Sequence, residues 1–260
     1  MQSNSDIIQA GIAVITGASA GLGRALAIEL CRRDVRVVGF ARSETGLAET
    51  AKLAGPGFTP MTVDVSDPDA LRAAFKVIAD TLGPVTILVN NAAVYPRRDI
   101  LDESAESFAQ TMAINLGGMV AATRAALDGM SETGLGHIVN VSSFADLAPL
   151  PASAAYSVSK GAGRIFSKAL VADLGDRFPG IIVTTWLPGM LATDMGVPHG
   201  LSPEVAAAWG ADLALWHDPD LNGALFEQDC EVLPPRSLKR RLKDKVLRSA
   251  PQPRRLGSAS

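Results

Sequence analysis

A chain of 260 residues, 47% of them hydrophobic, is long enough to bury a sizeable core within one large α/β unit. Its formal charge of −3 argues against a general nucleic-acid binder, and its two cysteines, Cys31 and Cys230, lie too far apart for metal-ligand spacing and are read as reduced and structural. No apolar run approaches the ~20 residues that span a bilayer, and residues 1–11 lack the pattern of a signal peptide, so a cytoplasmic protein is expected.

In chain order, short apolar runs at 12–16, 35–40, 58–63, 85–90, 137–142 and 181–187 predict strands, with a weaker last one at 224–232. Segments 22–32, 68–82, 104–129 and 154–178 carry apolar residues at helical spacing. Strands that are apolar throughout, joined by helix-length crossovers, predict an α/β fold with a parallel sheet covered on both faces. Ligands of such sheets bind beyond the carboxyl ends of the strands. Residues 1–235 read as one domain without internal repeats.

From Arg236 the composition changes to nine Lys/Arg against one acidic residue, Asp244. Leu238, Leu242, Val246 and Leu247 would form an apolar stripe on a basic helix, open to a membrane-surface or acidic-partner role. A solvated helix packed on its own acidic domain is the preferred reading, with 251–260 disordered.

The first strand runs into Gly17, Ala18, Ser19, Ala20, Gly21, Leu22 and Gly23 and then a helix. Glycines let the backbone turn tightly against a pyrophosphate, which the amides and positive end of the next helix stabilise. Asp64 and Val65 end the third strand; Asn90, Asn91, Ala92 and Ala93 end the fourth. Small and amide residues there let adenine and ribose lie against the sheet edge.

Tyr156 lies thirteen positions after Ser143, and Lys160 follows it by four. Residues at i and i+4 share a helix face, with Cβ atoms ~5–6 Å apart. An ammonium beside a phenol favours phenolate, lowering a pKa that is ordinarily ~10. Such a phenol exchanges a proton near neutral pH, as general acid–base catalysis requires.

Through Gly17-x-x-x-Gly21-x-Gly23, Asn90-Asn91-Ala92-Ala93, Asn115, Ser143, Tyr156-x-x-x-Lys160 and Pro188-Gly189-x-x-x-Thr193, the chain resembles a compact, single-domain short-chain dehydrogenase/reductase. The resemblance implies a Rossmann-like, doubly wound sheet of about seven strands and a nicotinamide cofactor. It implies that Tyr156 passes a proton to or from the substrate oxygen, which Ser143 holds. Ser142 is the competing candidate for that hydroxyl, and the spacing to Tyr156 favours Ser143. Lys160 would lower the Tyr156 pKa and bond the nicotinamide ribose, and Asn115 would anchor a water in a proton relay. Pro188, Gly189 and Thr193 would contact the nicotinamide carboxamide.

At the end of the second strand, Ala41 occupies the position where an NAD enzyme places a carboxylate, and Arg42 and Ser43 follow. A guanidinium pairs with a 2′-phosphate that a carboxylate would repel, so NADPH is expected over NADH.

Val94, Tyr95, Phe144, Leu147, Leu150, Met190 and His199 are the expected substrate-facing positions. Their apolar character predicts a hydrophobic ketone, aldehyde or secondary alcohol. Arg97 and Arg98 are read as surface residues rather than a grip on an anionic tail. His137, His199 and His217 share no spacing, and no metal site is expected. Eight residues between Thr193 and Ser202 make a short lid, which predicts an open mouth for a bulky substrate. The last strand lacks the family's glycine-rich ending, so a dimer through 104–129 and 154–178 is favoured, with a tetramer as the other homo-oligomer. The expected activity is an NADPH-dependent carbonyl reductase. An NAD(P)-dependent alcohol dehydrogenase running oxidatively is the alternative. A non-catalytic nucleotide-binding regulator is disfavoured, because the tyrosine and lysine are both present.

Overall fold

The computed structural model describes residues 4–234 and 251–257. Its elements in order are α1 (Asn4–Ala10), β1 (Ile12–Thr16), α2 (Gly21–Arg32), β2 (Arg36–Ala41), α3 (Glu44–Ala54), β3 (Phe58–Thr62), α4 (Pro68–Thr81) and β4 (Val85–Asn90). Then follow α5 (Ala105–Met112), α6 (Gly118–Thr133), β5 (Gly136–Val141), α7 (Ala154–Leu174), β6 (Ile181–Leu187), α8 (Pro203–Leu215), β7 (Leu225–Glu227) and β8 (Cys230–Glu231).

The sheet has eight strands in the order β3-β2-β1-β4-β5-β6-β7-β8, all pairs parallel except β7 with β8. Every residue of β1, β4, β5 and β6 is buried. That follows from helices on both faces: Ala13 and Ile15 pack with α2 and α8, Ile12 and Val14 with α4, α6 and α7. The chain order reverses between β1 and β4, the place where such sheets open a crevice.

Several expected elements differ. The segment 104–129 is not one helix: a π-helical turn over Ala113–Gly117 separates α5 from α6, with Gly118 N donating to the Ala113 carbonyl. The apolar spacing runs through this turn unbroken, so periodicity does not mark it. The segment 154–178 ends as a helix at Leu174, and 224–232 is a hairpin of two short strands, which gives an eighth strand in place of seven. Helices α1 and α3 are additional; α3 buries only Leu47 and Thr50, too thin a face to register as helical spacing.

Residues 251–257 are ordered against the sheet edge rather than disordered. Arg255 bridges Cys230, Glu231 N donates to the Arg254 carbonyl at 2.9 Å, and Leu256 is buried. Arg254 clamps Glu231 and Arg255 pairs with Asp229, both at 2.7 Å. Long-range ion pairs thus hold a segment whose own composition carries little apolar weight. Leu238, Leu242, Val246 and Leu247 lie outside the described residues.

Candidate active site

A cleft of about 370 Å³ opens at the carboxyl ends of β1–β6. Its floor is the glycine turn. Gly17 is left-handed at φ 72°, and a Cβ there would come within 2.9 Å of the Ala92 backbone. At Gly23 a Cβ would lie 2.1 Å from the Gly17 carbonyl oxygen, so α2 can start this close to β1 only without a side chain. α2 has Ala20 at its N-cap, no side-chain cap and no acidic residue in its first turn. Its leading amides therefore face the cleft with the positive end of the helix behind them.

The turn is braced from behind. Arg24 donates to the Ser19 carbonyl at 2.5 Å and to Thr50 Oγ1 at 3.1 Å, and pairs with Glu49 at 2.8 Å; Thr50 donates to the Ala18 carbonyl at 2.9 Å. Across the switch point, Thr16 Oγ1 accepts from the amides of Asn91 and Ala92, both at 3.0 Å. The Asn91 side chain returns the bond to the Thr16 carbonyl at 2.9 Å. Asn90 points away from the cleft, into a buried network with Asn140 and Thr123 that ties α6 to β4 and β5.

Gly17, Ser19, Ala20, Gly21, Leu22, Gly23, Arg42, Asp64, Val65, Asn91, Ala92, Lys160, Pro188 and Thr193 all line this cleft. Ile114, Val141, Leu191, Asp194 and Met195 line it as well; sequence spacing gave no reason to choose them. Ser43 is outside the lining; its hydroxyl oxygen caps α3, accepting from Gly46 N at 3.1 Å. Gly189, at φ 93°, is the left-handed turn after Pro188 and is not part of the lining. Arg42 is exposed at the cleft rim and its charge lowers the Asp64 carboxyl, which mainly accepts bonds from Ser66. Beside buried Ala41, no carboxylate follows the end of β2 before Glu44. This cradle of glycines and helix-end amides fits a dinucleotide.

Tyr156, on the first turn of α7, reaches back to the end of β5, beside the Ser143 hydroxyl. Ser142 is buried with its hydroxyl unpartnered among the described residues. Burial raises the Tyr156 phenol above the ordinary tyrosine value, the Ser143 bond opposes this, and Tyr95 adds to the rise. Lys160, fully buried, donates to the Val141 carbonyl at 3.0 Å, and burial lowers it to about 8. Its ammonium stands 5.7 Å from the Tyr156 ring centroid. Here the lysine is itself desolvated and its hydrogen-bond partner is a backbone carbonyl.

Asn115 lies in the π-helical turn. Its side-chain carbonyl accepts from Val94 N at 2.7 Å; its amide donates to Val94 O at 2.9 Å and Ser159 Oγ at 3.0 Å. It fixes the loop after β4 against α7, one residue from Lys160. π-turns of this kind recur at functional sites because they swing one side chain out of helical register.

Among the expected substrate positions, Val94 lines the cleft. Tyr95 stacks on Tyr156. Phe144, Leu147, Leu150 and Met190 are exposed and outside the lining, and His199 is exposed on loop 191–201. That loop is short and pinned at its neck, where Ala192 N donates to Leu201 O and Leu201 N to Met190 O, both at 2.8 Å. Arg97 is exposed and Arg98 half-buried, and both are engaged: Arg97 donates to the carbonyls of Met195 and Gly196, and Arg98 pairs with Glu103. His137 is buried against Thr184 and the Ala214 carbonyl, with burial lowering it to about 3; His217 bonds the Gly180 carbonyl. Both serve the interior rather than the cleft. Among the described residues no helix is long and apolar enough to cross a membrane.

A family model described as short chain dehydrogenase matches residues 11–201. Similar curated proteins include the 3-oxoacyl-(acyl-carrier-protein) reductase FabG of Vibrio cholerae, 32% identical over 188 residues, 72% of this chain and 76% of FabG. D-erythrulose reductase of Gallus gallus is 34% identical over 197 residues, 75% of this chain and 77% of that one. The probable oxidoreductase EphD of Mycobacterium tuberculosis is 38% identical over 190 residues, 72% of this chain but only 32% of EphD, so the chain spans about a third of that protein.

Proposed function

The chain belongs to the short-chain dehydrogenase family, NAD(P)(H)-dependent oxidoreductases acting on CH–OH and carbonyl groups, and from that premise we propose that it reduces a hydrophobic ketone or aldehyde with NADPH. The observation that carries the reading is the half-buried Tyr156 phenol beside Ser143 at the end of β5, with Lys160 one turn further along α7. A phenol kept protonated at neutral pH is the form that donates.

Ser143 donates a hydrogen bond to the carbonyl oxygen and fixes it beside Tyr156. A nicotinamide cofactor held by the glycine turn and Lys160 would supply the hydride for the carbonyl carbon, at the expense of its own oxidation. Tyr156 delivers its proton to the oxygen as the C=O bond becomes C–H and O–H, and is reprotonated from solvent. Lys160, which lines the cleft, would bond a hydroxyl of the nicotinamide ribose. Gly17, Gly21 and Gly23 admit the pyrophosphate to the amides of α2. Arg42 faces the 2′-phosphate, supported by the absence of a carboxylate beside Ala41. Asn115 acts as a positioning residue for Val94 and α7. Val94 and Ile114 in the lining, with exposed apolar Phe144, Leu150 and Met190 outside it, favour an apolar substrate body.

For assembly we favour a homodimer packed through α5–α6 and α7, which expose Val120, Val158 and Ile165. Residues 251–257 cover the sheet edge that a second contact in a tetramer would use. Both cysteines are free, in keeping with a cytoplasmic site of action. The test is a panel of apolar ketones, aldehydes and alcohols with NADPH and NADH, read by nicotinamide absorbance. Reduction with NADPH preferred is expected; a clear NADH preference refutes the cofactor assignment, and oxidation of alcohols without carbonyl reduction refutes the direction.

A further inference from the structure

Tyr95 and Tyr156 are the two tyrosines of the whole chain, and they lie face to face. Their ring centroids are 4.5 Å apart and their planes inclined by 15°. The Arg97 guanidinium stands over the other side of this pair, 5.4 Å from the Tyr95 centroid. The same guanidinium donates through Nη2 to the Met195 carbonyl at 2.9 Å and the Gly196 carbonyl at 2.7 Å. Arg97 is left-handed at φ 50°, a conformation that a non-glycine residue keeps only where its surroundings enforce it. A continuous series of contacts therefore runs from the loop over the cleft, through Arg97 and Tyr95, to the phenol of Tyr156. Val94, held at both its amide and its carbonyl by Asn115, is the fixed point from which this series departs.

We propose that Arg97 and Tyr95 are positioning residues for the proton donor: Arg97 latches loop 191–200 over the cleft, and Tyr95 carries the latched state to Tyr156 by covering one face of its ring. This rests on the reading of Tyr156 as the acid. With the loop latched, Tyr95 keeps water from the phenol and holds it protonated. When the loop lifts, Arg97 loses both carbonyl acceptors, Tyr95 loses its cation, and the phenol is wetted. Titratable and charged groups about the phenol are Lys160 on its own helix, Tyr95 against its face, and Arg97 behind Tyr95. Cation–π and stacking contacts have the right character for such a latch, being individually modest and readily remade.

Because the chain holds two tyrosines, the test is clean. Protein labelled at the hydroxyl-bearing carbon of tyrosine gives one NMR signal for each, and Tyr95→Phe leaves Tyr156 alone and assigned. In Tyr95→Phe, which keeps the stacked ring and loses only the charge of the Tyr95 phenol, Tyr156 is expected to titrate closer to wild type than in Tyr95→Ala. In Tyr95→Ala and Arg97→Ala its titration, and the basic limb of the rate profile for an aromatic ketone with NADPH, should move down toward the ordinary tyrosine value. Arg97→Ala should also lower kcat about tenfold, within the range by which misplacement remote from the chemistry slows a reaction. Arg97→Lys, which keeps the cation but not the fork, should restore part of that loss. Should Tyr95→Ala not fold, exposed Arg97 carries the same measurement. An unchanged Tyr156 titration in both alanine variants overturns the latch while leaving the proton-donor reading intact. Full turnover by Tyr156→Phe overturns that reading instead.

Discussion

On the β1–α2 side of the cleft the wall is backbone: Gly17 and Gly23 leave no room for a side chain, and Arg24, Thr50 and Glu49 stiffen the turn from behind. On the far side the wall is side chains on loops, where Tyr95, Arg97 and Met195 meet through stacking, a cation and two carbonyl bonds. The first wall suits a ligand of constant shape, since amides and helix ends can be placed once and left. The second suits a ligand that must enter, react and leave. Tyr156, half-buried, and Lys160, buried, stand at the seam, one turn apart on α7.

The largest effect that separates the two walls comes from Tyr156→Phe. Loss of the proton donor should lower kcat by about 10²–10⁴-fold while NADPH binding, followed by nicotinamide fluorescence, stays as in wild type. A matching loss of cofactor affinity would mean that the walls are not separable. Arg42→Asp should act on the other side alone. Replacing a charge-assisted bond by repulsion should weaken NADPH by about 10–100-fold and reverse the preference toward NADH, with kcat on saturating NADH little changed.

Lys160→Met addresses the seam. The wild-type ammonium is buried and lowered to about 8, whereas in the unfolded chain it titrates at its ordinary value of 10.5. Between those values the unfolded chain holds a proton that the folded one has released, so stability from this group rises with pH through that window and is lost as pH falls toward 8. Replacing it with methionine should stabilise the protein by about 1–3 kcal/mol at neutral pH and flatten the slope, while turnover collapses. Equal stability at both ends of the window in wild type would contradict the desolvated lysine. The smallest effect belongs outside both walls. Glu231→Ala removes the partner of Arg254 and should cost about 1 kcal/mol in denaturant unfolding with kcat and KM unchanged.

The contrast between the walls also explains what could be read from the sequence. The glycine turn was legible because steric exclusion leaves one residue type acceptable at Gly17 and Gly23, and a forced choice leaves a mark. The Tyr156–Lys160 spacing was legible because one helix face carries both. Asn115 was legible as a residue but not as a geometry, since apolar spacing continues unbroken across its π-helical turn. Arg97 read as a surface cation because its acceptors, the backbone carbonyls of Met195 and Gly196, lie about a hundred residues away and any residue type supplies a carbonyl. The same holds for 251–257, whose order comes from Asp229 and Glu231 rather than from its own residues. The raised phenol of Tyr156 follows from burial, which only packing reveals.

The two walls matter only if what one holds reacts with what the other holds. That meeting is tested by reducing an aromatic ketone with NADPH carrying deuterium at both C4 positions of the nicotinamide, in ordinary water. The account predicts an alcohol with one deuterium on its carbinol carbon and none released to solvent. An unlabelled alcohol, or label appearing in the water, would contradict direct transfer across the seam at Tyr156.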